Sequence, residues 1–408
     1  MHIRTLLWLA VVVVLLGLTP ASVKRAAAET QSYRASEITV MLRPNANINS
    51  FNARHRSYVL EQLPGANMYR LGWDGGASVE DKLSEVRTDA DLLVADRNYL
   101  LRSPEVRQVS HAFLDQVSHA FLDNQSPASF YGQPAMQNLH LSEAQSYTRG
   151  ANVRVAVIDT GIDLNHPLFA GRLAAPRFDF VDNDATPQDE PGGDSYGHGT
   201  FVAGLIALTA PQSSLIAIRA FGPDGVATSF DVAAAIRFAA DNGAQVINMS
   251  FGLDQDDLLI KNALNYAQTR ALPVGAAGND NLNWLQFPAS LQNRTLAVTA
   301  TTDDDRKADF ANYNAGVQVA APGVALYSAY PGNQWAWWSG TSFSTALVSG
   351  EAALLLALNP LQTRPNLTRI ITSGGVSLNI LNPDYANQLG RVRIDYLAAI
   401  NQSFLLRQ

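Results

Sequence analysis

Val153-Arg154-Val155-Ala156-Val157-Ile158-Asp159-Thr160-Gly161-Ile162-Asp163 decides how the rest of the chain is read. Residues 153–158 are mostly apolar and lack a helical period, as expected for a strand buried on both faces. Asp159 ends the run. In an open parallel sheet, ligands sit beyond the carboxyl ends of the strands, so an acid there faces a crevice. Taken alone, Asp159 could equally be a turn or helix-capping acid.

Downstream, apolar runs at 215–220, 245–249, 273–277, 296–301 and 317–321 read as further strands. Segments 198–208, 229–242, 256–270 and 342–358 read as helices. Strands alternating with helices predict an α/β domain, a mostly parallel sheet with helices on both faces. Upstream, 37–102 is a separate small α+β module. Its strands are expected at 37–43, 58–63, 67–73 and 92–101, and its helices at 49–56 and 78–88, the second capped by Ser78. It carries no catalytic cluster of its own.

Between them lies a linker, 103–128, with a tandem octapeptide. Gln108-Val109-Ser110-His111-Ala112-Phe113-Leu114-Asp115 recurs unchanged at 116–123. Two copies are too few for a solenoid. A duplication that lengthens an exposed connector explains it, and a metal pair of His111 and His119 would lack a further ligand. At the amino end, Arg4 precedes an apolar run of 13 residues, Leu6 to Leu18, followed by small residues. That is the length of an export-signal core and short for a bilayer span of about 20 residues. We expect a signal peptide over 1–28 and a secreted product, or a membrane anchor if the segment is not cleaved.

Composition narrows the options. The chain has 408 residues, room for two or three domains of ~150. Hydrophobic residues at 47% against 16% charged exclude wholesale disorder. The formal charge of −7 argues against nucleic acid as a partner, because phosphate binding needs clustered cations. There is no cysteine, which removes disulfides, thiol nucleophiles and thiolate metal sites together.

Two more residues suit nucleophilic chemistry. His198 stands in Gly197-His198-Gly199-Thr200-Phe201-Val202-Ala203-Gly204, between glycines that let backbone approach closely. Ser342 opens a helix in Gly340-Thr341-Ser342-Phe343-Ser344-Thr345-Ala346. There it meets unpaired backbone N–H groups and the positive end of the helix dipole, both favourable to an oxyanion. An ordinary N-cap serine would look the same. The surroundings are not Gly-x-Ser-x-Gly, and the chain order is acid, histidine, serine.

These three segments, in that order, resemble the signatures of the subtilisin-like serine peptidases, over residues 129–408. Details lean toward the thermitase-like branch. The module at 29–102 resembles the inhibitory prodomain of that family, which would make the chain an autoprocessed zymogen. The resemblance implies that Ser342 attacks the scissile carbonyl, with His198 as base and Asp159 orienting it. The Ser342 N–H and Asn279, in Ala276-Ala277-Gly278-Asn279, would receive the oxyanion. Ser250, Phe251 and Gly252 on one side and Gly225 on the other would hold a peptide substrate as an added strand. A monomer is expected.

Other implications concern fit and metal. Gln286, before Phe287-Pro288-Ala289, would narrow the first specificity pocket. The family's methionine after the nucleophile is Phe343, and its second histidine in the His-Gly-Thr-His signature is Phe201. Asp179, Asp182, Asp184, Thr186 and Gln188 match the spacing of a thermitase calcium loop. Three close carboxylates without a cation would repel one another, so structural calcium is expected there. The family's tighter calcium site looks absent, with Leu168 where its aspartate would stand. Two rival readings are a catalytically dead relative that binds peptides and a metal-dependent hydrolase using the acidic loop 179–194. The first is disfavoured by the complete triad, the second by the lack of paired histidines beside the loop.

Overall fold

A computed structural model describes residues 33–63, 65–103, 120–122 and 127–406. The signal segment, His111, His119 and most of the octapeptide lie outside the described residues.

The amino-terminal module follows the alternation of its sequence. Strands β1 (Tyr33–Leu42), β2 (Ser57–Leu63), β3 (Met68–Trp73) and β4 (Leu92–Arg102) are joined by helices α1 (Ile48–His55) and α2 (Val79–Val86). Asn47 caps α1 through its side-chain oxygen. Ser78 caps α2 in a reciprocal pair with Asp81. Such caps satisfy backbone N–H groups that the first turn leaves open, each worth about 1 kcal/mol. The sheet runs β2-β3-β1-β4 and continues onto β9 (Val226–Thr228), which belongs to the second domain. The module is thus built into the larger domain by an antiparallel strand pair.

In the larger domain, short β5 (Phe121–Leu122) edges a hairpin described below. Strands β6 (Arg154–Asp159), β7 (Phe178–Asp179), β8 (Ser214–Arg219), β10 (Val246–Met249), β11 (Leu272–Ala276), β12 (Leu296–Thr301) and β13 (Val319–Pro322) share one sheet. The hairpin β14 (Leu326–Tyr330) and β15 (Gln334–Trp338) pairs with β5, while β16 (Gly375–Val376) and β17 (Arg393–Ile394) complete the sheet. Its order is β16-β17-β13-β12-β11-β10-β6-β8-β7, with every pairing parallel except β16–β17.

Helices α3 (His198–Thr209), α4 (Ser229–Asp241), α5 (Leu258–Ala267) and α6 (Thr341–Leu358) cover the faces. Strand β6 shows why its sequence lacks alternation. Val155 and Val157 pack with Phe201 and Val202 of α3 and Leu347 of α6. Ala156 and Ile158 pack on the other side with Phe230 and Ile236 of α4 and Leu259 of α5. Each buried Val, Leu or Ile contributes about 1.5–3 kcal/mol on transfer from water. Both faces demand apolar residues, and the polar exception falls at the strand end, Asp159.

Most expected elements are found within about two residues of their sequence positions, an ordinary fraying error, but β1 starts four residues early and α5 ends three residues early. The hairpin β14–β15 and the short strand β9 were not expected, whereas the end of β4 was expected to enter the substrate cleft as a product-like tail.

Candidate active site

Asp159 and His198 come from different elements and meet at one carboxylate oxygen. Asp159 Oδ1 accepts from the Thr160 N–H at 2.8 Å and lies 2.6 Å from His198 Nδ1. Asp159 and His198 are 3% and 1% exposed, so the pair is shielded from water. An ionised carboxylate only accepts, so Nδ1 carries the proton and Nε2 is left as the basic nitrogen.

The glycines around His198 have steric reasons. A Cβ on Gly199 would fall 2.1 Å from the Gly161 carbonyl oxygen. On Gly197, at φ 87°, it would fall 2.3 Å from the Tyr330 ring. Helix α3 therefore starts pressed between the Gly161 turn and β14.

A buried acid that sequence reasoning missed holds this turn. Asp189 accepts from Gly197 N–H at 3.0 Å, Thr200 N–H at 3.1 Å and Thr200 Oγ1 at 2.6 Å. It brackets His198 on both sides. Burial pushes its carboxyl up to about 7, against the pull of the Thr200 and Gly197 hydrogen bonds. Its signal in the sequence was weak, because it reads as one more acid in a charged loop.

Ser342 lies in the first turn of α6. Its Oγ donates to the Ser250 carbonyl at 3.3 Å, and Ser250 Oγ donates to the Ser342 carbonyl at 3.0 Å. The neighbouring Phe343 ring stands 5.5 Å from the His198 ring, which brings the start of α6 against the imidazole. Trp338 sits edge-on to His198 at 5.7 Å, and Phe201 lies 4.5 Å from Phe343. The two family departures, Phe201 and Phe343, thus pack on each other beside the histidine. Asn279 Oδ1 accepts from the Thr341 N–H at 3.0 Å and Oγ1 at 2.8 Å. That fixes which end of the amide is held, so Nδ2 is the end turned away from Thr341.

The cleft already contains peptide. Leu100, Leu101 and Arg102 of β4 pair antiparallel with Thr228, Ala227 and Val226. Ser103 N–H donates to the Gly225 carbonyl at 2.9 Å, and Arg102 bridges Gly252 on the opposite wall. Gly225 and Gly252 thus contact chain directly, whereas Phe251 packs in the core against Phe221 at 5.1 Å. Further back, Asn98 accepts from Phe230 N–H at 3.3 Å and Asp96 from Leu258 N–H at 3.3 Å, at the starts of α4 and α5.

The residues expected to hold calcium make other contacts in this structure. Asp179 Oδ2 and Asp182 Oδ2 both accept from Arg219 Nη1, at 2.8 and 2.5 Å, and Glu190 accepts from Nη2 at 3.0 Å. Asp179 Oδ1 accepts from the N–H groups of Val181 and Asp182. Asp184 accepts from Thr186 N–H at 2.7 Å, Gln188 Oε1 from Leu164 N–H at 3.1 Å, and Thr186 is exposed. Among the described residues no three acidic or histidine side chains are arranged to hold a metal. As arranged, four of the five are already engaged by protein donors. Two of the loop's three carboxylates are compensated, because Arg219, at the end of the adjacent strand β8, supplies a cation from far along the chain.

Known proteins resemble the stretch of chain that holds these residues. A profile described as the Subtilase family matches residues 150–378, more than half of the chain. The chain belongs to the subtilase family. This subtilase is 42% identical over 231 residues to the Thermophilic serine proteinase of Bacillus sp. (strain AK1), a match covering 54% of the chain and 56% of that protein. It is 39% identical over 230 residues to Thermitase of Thermoactinomyces vulgaris, covering 54% of the chain and 80% of thermitase. Subtilisin Savinase of Lederbergia lenta is 36% identical over 252 residues, so the chain lies on the thermitase-like branch. The solved structure of fervidolysin from Fervidobacterium pennivorans superposes with a TM-score of 0.73 at 22% identity, covering 90% of the chain and 61% of fervidolysin. That likeness confirms the subtilisin-like fold. The matched stretch is just over half the length of the Bacillus relative.

Proposed function

We propose that this subtilase is a secreted serine endopeptidase made as a self-processing zymogen, with Asp159, His198 and Ser342 as its triad. The observation that carries the reading is the 2.6 Å contact between Asp159 and His198, at one end of a cleft lined by peptide. Ser342 Oγ attacks the scissile carbonyl while His198 Nε2 takes its proton. The proton then passes to the departing amine, and water releases the acyl group by the same path in reverse. Asp159 stabilises the imidazolium and holds its tautomer. The oxyanion receives hydrogen bonds from the Ser342 N–H and Asn279 Nδ2. Protein or peptide substrates bind as an extended strand between 225–228 and 250–252, as β4 does. Calcium enters no step.

Residues 29–102 act as the inhibitory prodomain, with the pairing of β4 and β9 and the contacts of Asn98 and Asp96 in support. The register also bears on self-cleavage. Arg102 stands opposite Gly252, two residues short of Ser250, whose carbonyl meets Ser342. The cut therefore falls beyond Ser103, within the linker to 128, and not after Arg102. Expression in a protease-free host followed by amino-terminal sequencing tests this. The wild type should start after Ser103 and Ser342→Ala should stay uncut. A Ser342→Ala protein that matures normally would refute self-processing.

A further inference from the structure

The two ends of the main sheet are equipped differently. Asp159 closes β6 and 250–252 leave β10, so the catalytic groups stand at the carboxyl ends of the strands. The amino ends carry arginines. Arg154 opens β6, Arg270 precedes β11, Arg294 precedes β12 and Arg391 precedes β17. Arg237 lies near the end of α4, and helix α7 (Arg364–Ile371) adds Arg364 and Arg369. Arg154 and Arg364 hold main-chain carbonyls, and Arg237 and Arg270 flank the Tyr266 ring at 4.0 and 3.9 Å. Asp241 accepts from the Tyr266 hydroxyl. Among the described residues none of the seven arginines is paired with an acid, in a chain whose formal charge is −7.

Two of them share a pocket. It has a volume of about 620 Å³ and opens between α7 and the segment 387–391, with Arg369 on one wall and Arg391 on the other. Gln292, Thr368, Asn379 and Asn387 add polar groups, and no described aspartate or glutamate lines it. Arg369 makes one long hydrogen bond, to Asn366 at 3.4 Å, and the Arg391 guanidinium makes none among the described residues. The walls are fixed by the fold. Leu367, Ile370 and Ile371 of α7 are buried in the core, which turns Arg369 outward. Asn379 and Asn387 exchange hydrogen bonds of 3.0 and 2.9 Å. A Cβ on Gly390 would fall 2.6 Å from Val319 N, and Arg391 N–H donates to the Gln318 carbonyl at 3.2 Å, so this segment is clamped on β13. Gln292 lays its amide nitrogen over Gly316, where a Cβ would come within 2.0 Å.

Arginine presents a planar fork of donors that fits oxyanions. One fork takes both oxygens of a carboxylate, whereas a tetrahedral oxyanion has oxygens for two forks at once. We propose that this pocket binds a phosphate or sulfate group, free or at the end of a larger molecule, through Arg369 and Arg391. The other five arginines raise the local concentration of such anions at this end of the sheet. Because the pocket lies at the end of the sheet opposite Ser342, its ligand leaves the cleft open.

The test uses the full chain carrying Ser342→Ala, which does not digest itself. Titration calorimetry with inorganic phosphate, at an ionic strength held constant with sodium chloride, should show one saturable site for which sulfate competes. Arg369→Gln and Arg391→Gln should each weaken it about ten-fold or more, the scale of one hydrogen bond to a charged group. Arg154→Gln should stay within about two-fold of the parent. Melting curves in chloride alone show whether each variant is folded. Glycerol 3-phosphate is titrated beside the free ion. Tighter binding of the ester identifies the group as the end of a larger molecule, and weaker binding identifies the free ion. A second measurement needs no variant. Phosphate should slow modification of Arg369 and Arg391 by phenylglyoxal, read by peptide mapping, and leave Arg154 unaffected. Phosphate that binds no better than chloride, an affinity unchanged when both arginines are replaced by glutamine, or protection spread evenly over the arginines each overturns the proposal.

Discussion

Replacing Arg219 with methionine removes the cation that closes the loop from Asp179 to Glu190. Arg219 is 2% exposed and meets Asp179, Asp182 and Glu190. The three partners are not equivalent. Asp182 and Glu190 have about half of their side-chain surface in water, so each contact is worth only ~0–1 kcal/mol. The Asp179 side chain is 1% exposed and would be left buried without its countercharge, which costs about 3–5 kcal/mol. Two backbone N–H groups still reach its other oxygen, so we expect the lower end, about 3 kcal/mol. For a domain of about 280 residues, with ~2.1 cal/mol/K of unfolding entropy per residue, that lowers Tm by roughly 5 °C. Calorimetry on a Ser342→Ala background, at one scan rate, avoids self-digestion and kinetic artefacts. The double change Arg219→Met with Asp179→Asn removes both charges and should recover most of the loss. Calcium suits carboxylate ligands, so in excess it should raise Tm more in Arg219→Met than in wild type. A single mutant within about 0.5 kcal/mol of wild type would show that Arg219 is not the cation of the loop.

Two further outcomes concern the histidine and its neighbours. Asp189, pushed up to about 7 by burial, binds its proton more tightly folded than unfolded, where an aspartate titrates near ~4. Its contribution to stability is complete below about pH 4 and is lost as pH rises through about 7, so Asp189→Asn should flatten its share of that slope in urea melts. Asp257 and Asp231, raised to about 7 and about 6 by burial, keep the remainder; an unaltered slope would mean that Asp189 titrates normally. Phe343 cannot form a sulfoxide, so activity should withstand mild peroxide while Phe343→Met becomes sensitive. Equal inactivation of both would contradict the role given to this position.

What the sequence disclosed follows from how locally each feature is encoded. Strand β6 and helices α3 and α6 were legible because their apolar runs belong to one element buried all round. The caps at Ser78 and the glycines at His198 were legible for the same reason. The strand β9 and its register with β4 were not, since they join positions more than a hundred residues apart and β9 has only three residues. Hairpin β14–β15 carries Pro331-Gly332-Asn333 at its turn, a signal present in the sequence and not used. The reading of the acidic loop was incomplete for another reason. Charges were counted along the chain, whereas Arg219 reaches them across the sheet.

The most direct test of the account is covalent labelling of purified protein by a fluorophosphonate, read by intact mass and peptide mapping. One adduct should form, on Ser342, and should vanish in Ser342→Ala. In His198→Ala it should slow by orders of magnitude, because the serine loses its base. An adduct on another residue, or labelling that persists in Ser342→Ala, would contradict the assignment of Asp159, His198 and Ser342 as a catalytic triad.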